Sequence, residues 1–125
     1  MDNNELRKHL KEQIEECCEW CASFTNAVDV EKIPYITFGV KELLSEDYGR
    51  HVMELTVDAW DKGTPFDVIA KIDKLDRHFR KYKANTDKFV VQVFLGNSRQ
   101  FIEDEDKNIK RLQRKYDLIV HEKGE

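Results

Sequence analysis

The chain has 125 residues, 40% of them hydrophobic and 37% charged, which suits one domain with a packed core over 1–125 and excludes wholesale disorder. The charged share exceeds the roughly 25% of an average globular domain and calls for an extended shape, solvated arms or charged contact surfaces. Lys plus Arg number 21 and Asp plus Glu 25, a net charge of −4, which argues against a general phosphate-binding surface and hence against a specific nucleic-acid partner.

The opening Met1-Asp2-Asn3-Asn4-Glu5 lacks a basic segment followed by an apolar one. No apolar run in the chain reaches the length that spans a bilayer. The expectation is a cytoplasmic protein with no membrane partner. Residues 4 to 24 contain neither Gly nor Pro, and Leu6, Leu10, Ile14, Cys17, Cys21 and Phe24 form the apolar stripe of an amphipathic helix. Trp20 falls off that stripe and is a candidate contact residue. Residues 25 to 32 read as a connection, which Pro34 separates from a strand over Ile33 to Val40. From Arg50 to Trp60, Met53, Leu55, Val57 and Ala59 alternate with Glu54, Thr56 and Asp58, as in a half-buried antiparallel strand.

Thr64 as N-cap and Pro65 at the first helical position predict a second helix. Val68, Ile72, Leu75, Phe79 and Tyr82 form its stripe, and its end falls near Ala84-Asn85-Thr86. Two further strands follow, Phe89 to Leu95 and Leu112 to Val120. The order helix, strand, strand, helix, strand, strand predicts an α+β fold, mainly antiparallel, with helices packed on one face of the sheet. The intervening stretch, Gly96 to Ile109, is long for a structureless loop and reads as a polar, mobile segment or as strand extensions forming an arm.

Catalytic and metal-binding patterns are weak. Cys18 and Cys21 have the spacing of half a zinc site with no second pair, and three clustered cysteines fit a reducing compartment better than a disulfide framework. His9, His51, His78 and His121 form no ligand motif. Glu54, Asp58, Asp61 and Lys62 faintly resemble a divalent-metal nuclease, an expected coincidence among 25 acidic residues. The five glycines are too far apart to build a phosphate loop. The reading is therefore no catalytic residue, no metal and no cofactor.

In the stretch from Gly96 to Lys115, the apolar pair Phe101 and Ile102 precedes the acidic run Glu103-Asp104-Glu105-Asp106 and the basic residues Lys107, Lys110, Arg111, Arg114 and Lys115. An apolar tip between opposite charges describes a docking surface, so Phe101, Ile102, Asp104, Asp106, Lys107, Arg111 and Arg114 are the candidate interface.

The strand Ile33-Pro34-Tyr35-Ile36-Thr37-Phe38, the strand ending Glu54-Leu55-Thr56-Val57-Asp58-Ala59-Trp60-Asp61-Lys62, the helix through Ile69 to Phe79 and the closing stretch Asp104 to Leu118 resemble tail terminator proteins of long-tailed bacteriophages and prophages, also called tail completion or head-to-tail joining proteins. The resemblance implies a non-enzymatic α+β subunit of a hexameric ring. Such a ring caps the tail tube, stops its growth and presents a surface to the head connector or stopper. It further implies no cofactor, with assembly in the host bacterial cytoplasm and residence at the virion neck. A neck adaptor or stopper protein is the nearest alternative, and a small α+β ligand-binding or enzymatic domain a more distant one.

Overall fold

The computed structural model of the protein describes residues 3–20, 22–23, 34–45, 49–103 and 105–123. Helix α1 spans Asn3–Cys18. Its buried residues are Leu6, Leu10, Ile14 and Cys18, an every-fourth-residue stripe that stays on one helical face. Cys18, not Cys17, completes the stripe; Cys17 is half-buried. The helix stops there because Glu19 turns to φ 63°, earlier than the expected end at residue 24, and Trp20 lies half-buried against the core under the Lys71 ammonium. Burial pushes the Cys18 thiol up to about 12, the behaviour of a packing residue. Cys21, Phe24 and the connection over 25–32 lie outside the described residues.

The rest is dominated by strands: β1 (Ala22–Ser23), β2 (Tyr35–Ser45), β3 (Arg50–Lys62), β4 (Lys83–Asn85), β5 (Phe89–Ile102) and β6 (Ile109–Glu122), with helix α2 (Phe66–Phe79) between β3 and β4. They form one sheet in the order β1-β2-β3-β6-β5-β4. The β1–β2 pair is parallel and the others antiparallel.

This overturns the expected α+β class, with its two helices and four strands, in favour of a mostly-sheet fold of six strands. Strands occupy 54% of the described residues, and the sheet is mixed and curled into a half-barrel. Two physical reasons account for the difference. Strand pairing continues past Val40, so β2 extends to Ser45, and β5 and β6 take up most of residues 96–109 as strand extensions rather than as a mobile segment. Register shifts between Glu42 and Leu44 and between Leu95 and Arg99 also bend their strands and deepen the local twist. At the second bend the chain needs Gly96, because a Cβ there would collide with the Lys115 carbonyl.

One core joins the inward faces of the strands to both helices. Ile36, Phe38, Met53, Leu55, Val57, Val91, Tyr116 and Leu118 meet Leu10 and Ile14 of α1 and Ile72, Leu75 and Phe79 of α2. Each buried leucine- or phenylalanine-sized side chain contributes about 1.5–3 kcal/mol relative to exposure. Helix α2 starts one residue later than expected: Pro65 is its N-cap, and no side chain caps it. Tyr82 lies past the helix end and packs edge-on against Phe79. The sheet's other face carries a smaller cluster of Tyr35, Trp60 and Ile109. There Tyr35 and Trp60 stack with centroids 6.4 Å apart and Trp60 Nε1 donates to Thr37 Oγ1.

Candidate functional site

The β5–β6 hairpin is a pair of long strands, matching the expected strand extensions rather than a mobile segment. Arg99 pairs with Arg114, Phe101 with Leu112 and Ile102 with Arg111. Its tip is closed by Asp106, whose carboxylate accepts from Asn108 N at 2.9 Å while its carbonyl accepts from Ile109 N at 3.0 Å. Gly63 N donates to Asn108 O at 2.8 Å, tying the tip to the turn that leads into α2.

Between this tip and the start of α2 lies a cleft of about 470 Å³, walled by Pro65, Ile69, Phe101, Ile102 and Ile109. Phe101 remains 51% exposed although it sits on a paired strand. Along the rim are Glu103, Lys107, Lys110 and Arg111. Lys110 Nζ donates to the Lys107 carbonyl, and among the described residues no carboxylate meets the Lys107 ammonium. The surface combines an apolar floor with a mixed rim on which Lys107 and Lys110 outnumber the one carboxylate, Glu103, a composition that suits an apolar segment carrying a carboxylate.

The expected interface residues therefore divide. Phe101, Ile102, Lys107 and Arg111 share the groove, with Arg111 held in place as Nε donates to Asp58 Oδ1 at 2.9 Å and its guanidinium stacks 4.5 Å from the Trp60 ring. Asp106 is a turn-former at the tip. Asp104 lies outside the described residues. Arg114 turns inward and is only 7% exposed. Its Nε donates to Asp76 Oδ1 at 2.9 Å, and its Nη1 to the carbonyls of Gly96 and Ser98.

Arg114 belongs to a network that pattern reading did not find. Tyr116 Oη donates to Asp76 Oδ1 at 2.8 Å, and Arg99 Nη1 donates to Asp76 Oδ2 and bridges to Asp73. Burial, then the Asp76 charge, pushes the Tyr116 phenol far above its ordinary range. The signal was present in the sequence: Asp76 stands four residues after Ile72 and three before Phe79, flanking the apolar stripe, and Arg114 has the inward parity of Leu112 and Tyr116 on β6.

A second cluster fastens the opposite end of the sheet. His51 is buried, with Nδ1 2.6 Å from Glu42 Oε1 and 3.1 Å from Ser45 Oγ, and Nε2 2.9 Å from Glu122 Oε2. The hydrogen bond to Glu122 is the main cause raising the His51 pKa, with Glu42 adding to it and burial opposing, while the same contact lowers that of Glu122. Carboxylates beside both ring nitrogens favour the imidazolium, and the cluster joins β2, β3 and β6.

The carboxylates that suggested a metal site are engaged separately. Asp58 accepts from Arg111 and Gln113, Glu54 faces Lys115, and Asp61 accepts from Lys62 N. Among the described residues no group of three or more His, Cys, Asp or Glu is placed to hold a metal ion, and no helix is long and apolar enough to cross a membrane. In comparisons with known proteins, no family model and no curated protein matches the chain.

Proposed function

We propose that the protein is a structural assembly subunit that forms a ring on the finished tail tube of a long-tailed phage, ends tube growth and offers the joint to the head connector. The observation that carries this reading is the apolar, basic-rimmed groove beneath Phe101, built on a paired hairpin and held rigid against α2 by the Asp76 network. A preformed groove of this kind loses little conformational entropy on docking. The resemblance of the strand and helix motifs to tail terminator proteins supplies the identity of the tube and the connector.

The test is imaging of purified tail tubes mixed with the protein. Rings at the tube end, with tubes held at uniform length, are expected; protein found only on head connectors assigns it to a neck adaptor or stopper role instead. A chain carrying Phe101→Ala and Ile102→Ala is expected to fold and to leave separate heads and tails of abnormal length. If it still gives joined particles, the groove is not the working surface.

A further inference from the structure

We propose that the groove receives Leu43 and Leu44 from a second copy of the chain, in a head-to-tail contact that repeats around an assembly; the inference rests on the ring reading above and names its contact. Four of the five large, strongly exposed apolar side chains, Leu43 and Leu44 on β2 and Phe94 and Phe101 on β5, lie on two strands on opposite sides of the β3–β6 pair. Each strand has only a short outer neighbour: β1 pairs with β2 at Ile36 and Thr37, and β4 pairs with β5 from Val90 to Gln92. Among the described residues the remainder of each outer edge, including Val40–Ser45, has no strand beside it, and such edges template association.

A chain cannot fill its own groove. Ser45 pairs with His51 at the start of β3, whereas the groove lies where Lys62, at the end of β3, pairs with Ile109. Leu44 pairs with Val52, and the strand from Val52 to Lys62 separates the leucines from the groove by about 33 Å along its length.

The two surfaces differ in charge: the groove rim carries Lys107 and Lys110 with one carboxylate, Glu103, and the leucines follow Lys41 and Glu42. The leucines, 51% and 52% exposed, follow Glu42, whose Oε1 takes the His51 bond and whose side chain is 41% exposed. The groove presents Lys107 and Lys110 around a floor of Ile69, Phe101 and Ile109, and its volume of about 470 Å³ falls in the range of sites that bury a compact apolar group. A two-fold contact that seated each chain's leucines in the other's groove would close at a dimer, whereas the ring reading needs a contact that leaves one groove and one leucine pair open on each copy. A heterologous contact pairs unlike surfaces, and its repetition generates a closed ring or a filament.

The test uses two full-length variants and light scattering. The wild-type chain is expected to form species larger than a dimer as concentration rises to about 1 mM. Leu43→Asp with Leu44→Asp destroys the inserting pair but keeps the groove; Phe101→Asp with Lys107→Glu destroys the groove but keeps the leucines. Each alone is expected to stay monomeric, and an equimolar mixture to give a heterodimer and nothing larger, because one intact contact remains. Circular dichroism confirms that both fold. As a second arm, Leu44→Lys is expected to block assembly in a chain with the native groove, and to be rescued by mixing with Lys107→Glu. A wild-type chain that remains monomeric, a variant that still assembles alone, or a mixture that stays monomeric overturns the proposal. Imaging of tail tubes separates the two readings: capping by a wild-type protein whose variant mixture stays monomeric removes only the contact, and head-to-tail assembly without capping removes only the function.

Discussion

The two ends of the sheet are fastened by different chemistry. At the β5–β6 end, Arg114, Arg99 and Tyr116 converge on Asp76 of α2, and the side chains of the central Arg114–Asp76 pair are 9% and 17% exposed. At the β2–β3 end, His51 joins Glu42 and Glu122 across three strands, with both carboxylates reaching solvent. Guanidinium and buried phenol keep their protonation state across the physiological range, whereas an imidazole does not. The groove end is therefore held independently of pH, and the leucine-bearing end carries a titratable clasp.

The largest expected effect separates buried from exposed ion pairing. Asp76→Ala leaves the Arg114 charge buried without its partner and should cost about 3–5 kcal/mol in denaturant unfolding. Replacing both, Asp76→Ala with Arg114→Met, should recover much of that loss; a double variant no better than the single would place the stabilisation in Tyr116 and Arg99 instead. His51→Gln should cost about 1 kcal/mol near pH 6, since hydrogen bonds to charged groups are worth more than this but both carboxylates are partly screened by water.

Its pH dependence carries the comparison further. The folded-state pKa of His51 is raised above 6.5, so its contribution is complete below about 6.5 and is lost as pH rises through the raised value. Glu122 is lowered from 4.5, so its contribution is present above that value and is lost as pH falls through the folded one. Wild-type stability should therefore decline on the alkaline side in a way that the His51→Gln chain does not. Parallel pH profiles for the two would remove the clasp from the stability account. Arg99→Ala should cost about 0.2–1 kcal/mol, because Arg99 and Asp73 are well hydrated. Phe101→Ala with Ile102→Ala should move stability least, by well under 1 kcal/mol, while removing tail joining.

The strand alternation from Met53 to Ala59 and the stripe from Val68 to Phe79 were legible because one period runs unbroken through each. The far ends of β2, β5 and β6 were not, since Lys41–Ser45 and Gly96–Ile102 are polar or exposed and acquire strand geometry from their paired neighbours rather than from their own pattern. The short strands β1 and β4 are likewise products of tertiary pairing. Of the site, Phe101 and Ile102 stood out as apolar residues in a polar segment. The inward turn of Arg114 was hidden, because charge composition was read along the chain and not by strand parity. Leu43 and Leu44 gave no signal, as two adjacent leucines near a strand end look like core until the sheet shows that both remain exposed.

The Arg111–Trp60 stack gives the molecule a built-in optical gauge. Trp60 is buried on the face opposite the main core, stacked on Tyr35, and its ring lies beneath the guanidinium of a groove residue. A segment entering the groove alters the field at that indole without touching it. Only one other tryptophan, Trp20, contributes emission, so in a Trp20→Phe chain the fluorescence of Trp60 should shift as the groove fills, reporting occupancy without an added dye.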